Sequence, residues 1–170
     1  PDRRLFRASR THQTWEGGHC LKLRERTRPV TWGMVKFHRS QQAEEGGFRE
    51  IRASKRAETN QKAAAVGALR ILGALDDETR ESTIDFLFEM QTDEGGLRAN
   101  TRIPIADLLS TFTGTLTLMD LGGADEIDLA AALRFAQSLE LEEGGFHGAI
   151  WDESDDVEYS FYGLGCLDRK

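Results

Sequence analysis

A pair of glycines returns at a fixed interval in this chain, and that interval limits what the chain can fold into. Gly-Gly stands at 46–47, 95–96 and 144–145, a spacing of 49 residues both times. The flanks return as well, as Gln42-Ala-Glu-Glu-Gly-Gly-Phe48 and then Gln91-Thr-Asp-Glu-Gly-Gly-Leu97. A third copy, Gln137 to Phe146, keeps the frame with three extra residues ahead of Glu143-Gly-Gly. Upstream, Gln13-Thr-Trp-Glu-Gly-Gly18 is a shortened copy 29 residues ahead of its neighbour, so about one helix of the period is missing there. A repeat of this length marks stacked supersecondary units, each of which buries its apolar face only against the next.

Between the glycine pairs each period reads as two helices. Residues 60–75 put Ala64, Gly67, Ala68, Ile71 and Leu75 on one stripe at helical spacing. Asp76 and Asp77 supply an N-cap and first-turn charge for a second helix through Gln91, with Ile84, Leu87 and Phe88 as its apolar face. The next period predicts a helix near 105–121, a break at Gly122-Gly123 and a helix near 125–139 capped by Asp125. A single helix from about 155 to 167 follows. Nothing alternates with period two for long enough to make a strand, so the expected class is all-α. Gly67, Gly114 and Gly163 recur at intervals of 47 and 49. Glycine inside a helix costs about 1 kcal/mol against alanine, so its return in register implies helices in close contact. Each Gly-Gly pair supplies a positive-φ turn, and the Gln and Glu before it can bond turn amides or helix ends.

Charge divides the chain unevenly. Residues 1–43 hold ten Arg/Lys against Asp2, Glu16 and Glu25, whereas the rest holds twelve against 26 acids, for a net −7 in all. Residues 1–41 therefore read as a basic arm carrying the shortened repeat, and 42–170 as the repeat domain. Without interleaved aromatics or a binding motif the arm reads as solvated, with no nucleic-acid partner. No apolar run approaches the roughly 20 residues of a membrane span. Cys20 and Cys166 lack His or Cys partners at metal spacing, and read as free thiols of a reducing, cytoplasmic compartment. The start at Pro1 points to a processed product or a fragment.

The last copy reads Glu143-Gly-Gly-Phe-His-Gly148 followed by Ser154-Asp-Asp-Val-Glu-Tyr-Ser-Phe-Tyr-Gly-Leu164. The middle copy reads Glu94-Gly-Gly-Leu97 followed by Ala106-Asp-Leu-Leu-Ser-Thr-Phe-Thr-Gly114. In these segments the repeats resemble the β subunits of protein prenyltransferases, nearest to the Rab geranylgeranyl transferase type, and the wider squalene and terpenoid cyclase superfamily. Residues 42–170 are covered. The resemblance implies an α/α toroid, here a partial arc of antiparallel helical hairpins joined by Gln-x-x-Glu-Gly-Gly turns.

It also implies site residues. The transferases hold an acceptor thiolate on zinc through an Asp-x-Cys element and a later His. Those positions fall on Asp107, Leu109 and Tyr159, so two of the three ligands are substituted and no metal or cofactor is expected. Asp107 and Asp156 also suit helix caps. Arg98 and Arg102 lie where the family places cations for the diphosphate, and arginine suits that anion as a permanently charged fork. A cyclase-like alternative aligns an acid motif on Glu153-Ser-Asp155-Asp156, with Asp155 as the proton donor. Trp151, Tyr159, Phe161 and Tyr162 read either as core or as a wall for an isoprenoid or carbocation.

The functional expectation is thus a prenyltransferase-like protein that handles farnesyl or geranylgeranyl diphosphate with a degenerate zinc site. The alternatives are acid catalysis at Asp155 and a non-catalytic interaction module. The repeats present make about half a toroid, so apolar end faces would seek a second copy or the missing half, with the last helix at the contact.

Overall fold

The computed structural model describes residues 28–41, 58–152 and 156–168. The glycine pairs at 17–18 and 46–47, Cys20 and Asp155 lie outside them. Among the described residues there are six α-helices and no strand: α1 Arg28–Arg39, α2 Thr59–Ile71, α3 Asp77–Phe88, α4 Leu108–Leu121, α5 Leu129–Ser138 and α6 Val157–Leu167. The chain divides into two compact units, Pro1–Thr83 and Ile84–Lys170, the division falling inside α3.

In the amino-terminal unit α1 packs on α2. Met34, Val35 and His38 form the buried side of α1, while Trp32, Lys36 and Arg39 at i, i+4 and i+7 face outward. Lys36 and Arg39 stand in the last turn of α1, where their charge complements the helix dipole. On α2 the buried set is broader than a single stripe: Ala64, Ala65, Val66, Ala68 and Leu69 are all covered. Burial at consecutive positions means that more than one side of α2 is packed. Lys62 is buried with them, and its ammonium donates to the Ser82 carbonyl at 2.8 Å, which satisfies a charge otherwise costly to bury. The helix stops at Ile71 rather than Leu75, because Gly73 turns the backbone left-handed at φ 66°. Asp76 then caps α3, accepting from Thr79 N–H at 2.9 Å.

The carboxy-terminal unit holds the two later glycine turns, and they share three backbone hydrogen bonds at matching positions. Thr92 N–H donates to Gly96 O at 2.9 Å, and Leu141 N–H to Gly145 O at 3.0 Å. Gly95 N–H returns to Thr92 O at 2.9 Å, and Gly144 N–H to Leu141 O at 3.0 Å. Arg98 N–H reaches Met90 O at 3.0 Å, and His147 N–H reaches Leu139 O at 2.9 Å. Each partner lies 49 residues beyond its counterpart. This register corrects the sequence alignment of the third copy. The position of Gln91 is taken by Glu140, which pairs with Phe146 as Gln91 pairs with Leu97, whereas Gln137 lies inside α5. The extra three residues are not in the turn.

A second correction concerns α5. Its cap is Asp128, which accepts from Ala131 N–H at 2.8 Å, and Asp125 sits in a short 3-10 turn, Ala124–Glu126. That turn uses the three residues that a direct Gly122-to-helix junction would lack. Gln91 reaches the same spot: its amide donates to Gly95 O at 2.8 Å and Asp128 O at 2.9 Å, and accepts from Asp128 N–H at 2.9 Å. One glutamine thus ties the turn to the start of α5. The core of this unit joins Leu108 and Phe112 of α4, Phe135 and Ala136 of α5, Phe146 of the third glycine turn and Cys166 of α6.

Two measurements check these assignments. A Cβ on Gly96 would stand 2.5 Å from the Phe135 ring and 2.8 Å from Ala106 Cβ, with no flexible side-chain end to give way. Gly96→Ala should cost about 1–3 kcal/mol in urea unfolding, the usual range for overpacking. His38 is fully buried, neither ring nitrogen meets a hydrogen-bond partner, and burial pulls its pKa down to about 4. The unfolded chain therefore binds the proton first, and stability should fall as pH drops from about 6.5 toward 4, by up to about 1.4 kcal/mol per pH unit. His38→Leu should flatten that slope.

Candidate functional site at the amino ends of α4 and α6

The site is built from the glycine turn upward. Glu94, just before the Gly95-Gly96 pair, accepts from Ala106 N–H at 2.7 Å. Leu97, just after the pair, accepts from Asp107 N–H at 3.1 Å and donates its own N–H to Thr111 Oγ1 at 2.9 Å. Thr111 Oγ1 in turn donates to Asp107 O at 2.7 Å. These bonds clamp the residue at which α4 begins. Asp107 is extended (φ −134°, ψ 157°), and its Oδ1 accepts from Ser110 N–H at 2.7 Å, the geometry of an N-cap.

Forty-nine residues later the pattern returns. Asp156 caps α6, accepting from Tyr159 N–H at 2.8 Å, and Ser160 Oγ bonds Asp156 O at 3.1 Å as Thr111 bonds Asp107 O. The two capped ends are brought together because α4 packs on α6. The loop after the third turn completes the contact. Gly148 O accepts from Leu108 N–H at 2.7 Å, and the Tyr159 ring packs against Gly148, where a Cβ would stand 2.4 Å from Cζ. Tyr159 therefore sits at the head of α4, beside Asp107.

Their electrostatics are linked. Burial pushes the Asp107 carboxyl above its ordinary value, and the bonds from Ser110 only partly offset it. Burial also raises the Tyr159 phenol, and the carboxylates of Asp152, Asp156, Asp107 and Glu158 raise it further. At neutral pH the phenol keeps its proton and can donate it in a hydrogen bond. A zinc ion does not fit this donor set. Asp107 spends one oxygen on the cap, Leu109 has only hydrocarbon, and the phenol is held away from the phenolate that a metal would need. Among the described residues no three His, Cys, Asp or Glu side chains are grouped to hold an ion.

Next to these groups stands an aromatic trio. The ring of Phe112 meets Phe161 at 5.6 Å edge-on and Tyr162 at 5.5 Å, and Phe161 meets Tyr162 at 5.5 Å. Phe112 is buried, Tyr159 and Tyr162 are half-buried against the core, and Phe161 is 63% exposed. A core reading therefore fails for Phe161 and for Trp151, which is 65% exposed. Arg98 is used locally, donating to Glu89 O at 2.9 Å near the end of α3. Arg102 is exposed on the loop before α4, its amide bonded to Asn100 Oδ1 at 3.0 Å. Sequence reasoning missed Gly148 and Phe112 as site builders. Gly148 ends the Glu-Gly-Gly-Phe-His-Gly run, yet its partner Tyr159 lies eleven residues away, a distance no local pattern encodes.

The chain belongs to the prenyltransferase alpha-alpha toroid family, whose sequence model, the prenyltransferase alpha-alpha toroid domain, matches residues 63–168. Among solved structures it is similar to Candida albicans protein geranylgeranyltransferase-I complexed with GGPP. The TM-score is 0.80 at 16% identity, over 93% of this chain and 48% of that one. At that identity the likeness is one of fold, and this chain spans about half the length of its neighbour. No curated protein matches it in sequence. Among the described residues no helix is long and apolar enough to cross a membrane.

The cap and the raised carboxyl of Asp107 make opposing predictions for two substitutions. Because the folded carboxyl is raised, its ionisation opposes folding above its ordinary pKa, and stability tied to it falls as pH rises through the folded value. Asp107→Asn keeps a capping acceptor and removes the buried charge, so it should be neutral or stabilising at pH 7. Asp107→Ala loses the cap and should cost about 1 kcal/mol. Thermal unfolding followed from below the ordinary carboxyl pKa up to pH 7 reads both, and the Asn variant should show the weaker pH slope.

Proposed function

We propose that this chain is a prenyltransferase-like toroid protein that binds an isoprenoid diphosphate and works without a zinc-held thiolate. The observation that carries the reading is the meeting of Asp107 and Tyr159 at the paired heads of α4 and α6, beside Phe112, Phe161 and Tyr162. The aromatic trio suits a polyisoprenoid tail, and the ring of carboxylates around a protonated phenol favours positive charge of the kind an allylic group develops as diphosphate leaves. Arg98 and Arg102, on the stretch leading to Asp107, are the groups we assign to the diphosphate. The solved neighbour's complex with GGPP supports the ligand class.

The reading places the protein in the cytoplasm, as a repeat domain over 42–170 preceded by a basic arm. It also gives it a protein partner, either a second copy or the other half of a ring. A non-catalytic interaction module is the second reading, favoured by the exposure of Val157, Phe161 and Leu164 on α6.

Isothermal calorimetry with GGPP and farnesyl diphosphate separates the two. Micromolar binding that survives a chelator, and that weakens about fivefold or more in Phe161→Ala, is expected from the loss of an aromatic contact of about 1 kcal/mol. Elemental analysis of the dialysed protein should find zinc far below one per chain. Absence of binding to both diphosphates leaves the interaction module, and near-stoichiometric zinc overturns the proposed chemistry.

A further inference from the structure

Two exposed helix faces in this chain carry opposite charge beside exposed apolar side chains. On α6, Val157, Phe161 and Leu164 stand at i, i+4 and i+7 and are 86%, 63% and 62% exposed, an apolar stripe facing solvent. Beside it is a shallow depression of about 500 Å³ walled by Phe161, Leu164, Gly165, Leu167 and Asp168. The stripe is rimmed by exposed Asp156 and Glu158 at its amino end and Asp168 at its carboxy end. From Leu141 to Asp168 the sequence holds eight acids and no Lys or Arg. On α1, the outward stripe is Trp32, 71% exposed, followed by Lys36 and Arg39 with the same i, i+4, i+7 spacing.

We propose that α6 of one copy is the docking face for α1 of a second copy, in a head-to-tail contact that deepens the partner part of the proposed function and does not depend on isoprenoid binding. With the helices antiparallel, Trp32 seats in the depression beside Gly165, while Lys36 and Arg39 reach Asp156 and Glu158. An α6–α6 pairing instead sets acid against acid at both ends, which disfavours it. Arg39 already meets Asp76 at 3.3 Å, but that pair is about half exposed and holds the guanidinium only loosely. Trp32, Val157, Phe161 and Leu164 offer about 400–500 Å² of apolar area, the core of a patch near the roughly 800 Å² per partner of a stable interface. Each copy carries both faces, so every copy can give one such contact and accept another.

The test uses the full chain and two spoiled faces. Wild-type protein at micromolar concentration should scatter at a mass of two or more copies of the 19.1 kDa chain and shift toward monomer in high salt. Trp32→Glu and Leu164→Glu should each be monomeric alone, because every contact needs both faces. Mixed in equal amounts they should double in mass, since the intact α6 of the first accepts the intact α1 of the second. Circular dichroism confirms that both variants are folded, and Lys36→Glu with Val157→Glu repeats the experiment if either is not. A monomeric wild type, a Trp32→Glu variant that stays dimeric, or a mixture that stays monomeric would each overturn the proposal. Calorimetry with GGPP on the same samples reports separately on ligand binding.

Discussion

The carboxylate of Glu94 holding the amide of Ala106 is the contact on which the site depends. It fixes the residue before Asp107, while Leu97 grips Asp107 and Thr111 from the other side of the glycine pair. A charge-assisted hydrogen bond of this kind is worth more than a neutral one, and it spans a loop that would otherwise be free to choose where α4 starts. The start of α4 decides where the Asp107 carboxylate points, and with it the company of Tyr159. The glycine pair is needed because Gly95 turns at φ 93° and Gly96 leaves no room for a Cβ against Phe135. The motif is thus structural in itself and functional only through the helix it positions.

The pairing of α4 with α6 shows how a repeat makes a site. Both helices begin on an aspartate cap with the same bond pattern, yet the positions three residues on differ, Ser110 in one and Tyr159 in the other. The repeated part supplies the scaffold and the unrepeated part supplies the chemistry. A serine there gives a buried small residue, while a tyrosine lies across Gly148 and enters a field of carboxylates that keeps its proton in place. The position does not suit a metal for a separate reason, since neither the protonated phenol nor Leu109 offers a ready donor.

Much of the fold was legible in the chain. The 49-residue interval, the turn residues and the stripes of small and apolar residues specify all-α repeats because backbone turns and helix faces are local demands. The aspartate at the head of α6 and the belonging to the toroid family follow the same logic. Local signals also misled at two places. Asp125 looked like a cap because it follows a glycine pair, but a 3-10 turn carried the start on to Asp128. Gln137 looked like the third Gln because its side chain repeats, but the backbone bonds count positions, and they select Glu140.

What the sequence determined by itself was therefore the periodic part, set by φ preference, capping and helical spacing within a few residues of each position. What only the tertiary structure decided was the company that distant residues keep. Tyr159 on Gly148, Phe112 among Phe161 and Tyr162, and a carboxyl at Asp107 raised by burial all depend on which helix packs on which. The exposure of Val157, Phe161 and Leu164 belongs there too, because a stripe of apolar residues reads alike in sequence whether or not a neighbour covers it. Desolvation and contact are properties of the packed assembly, and no window along the chain contains them.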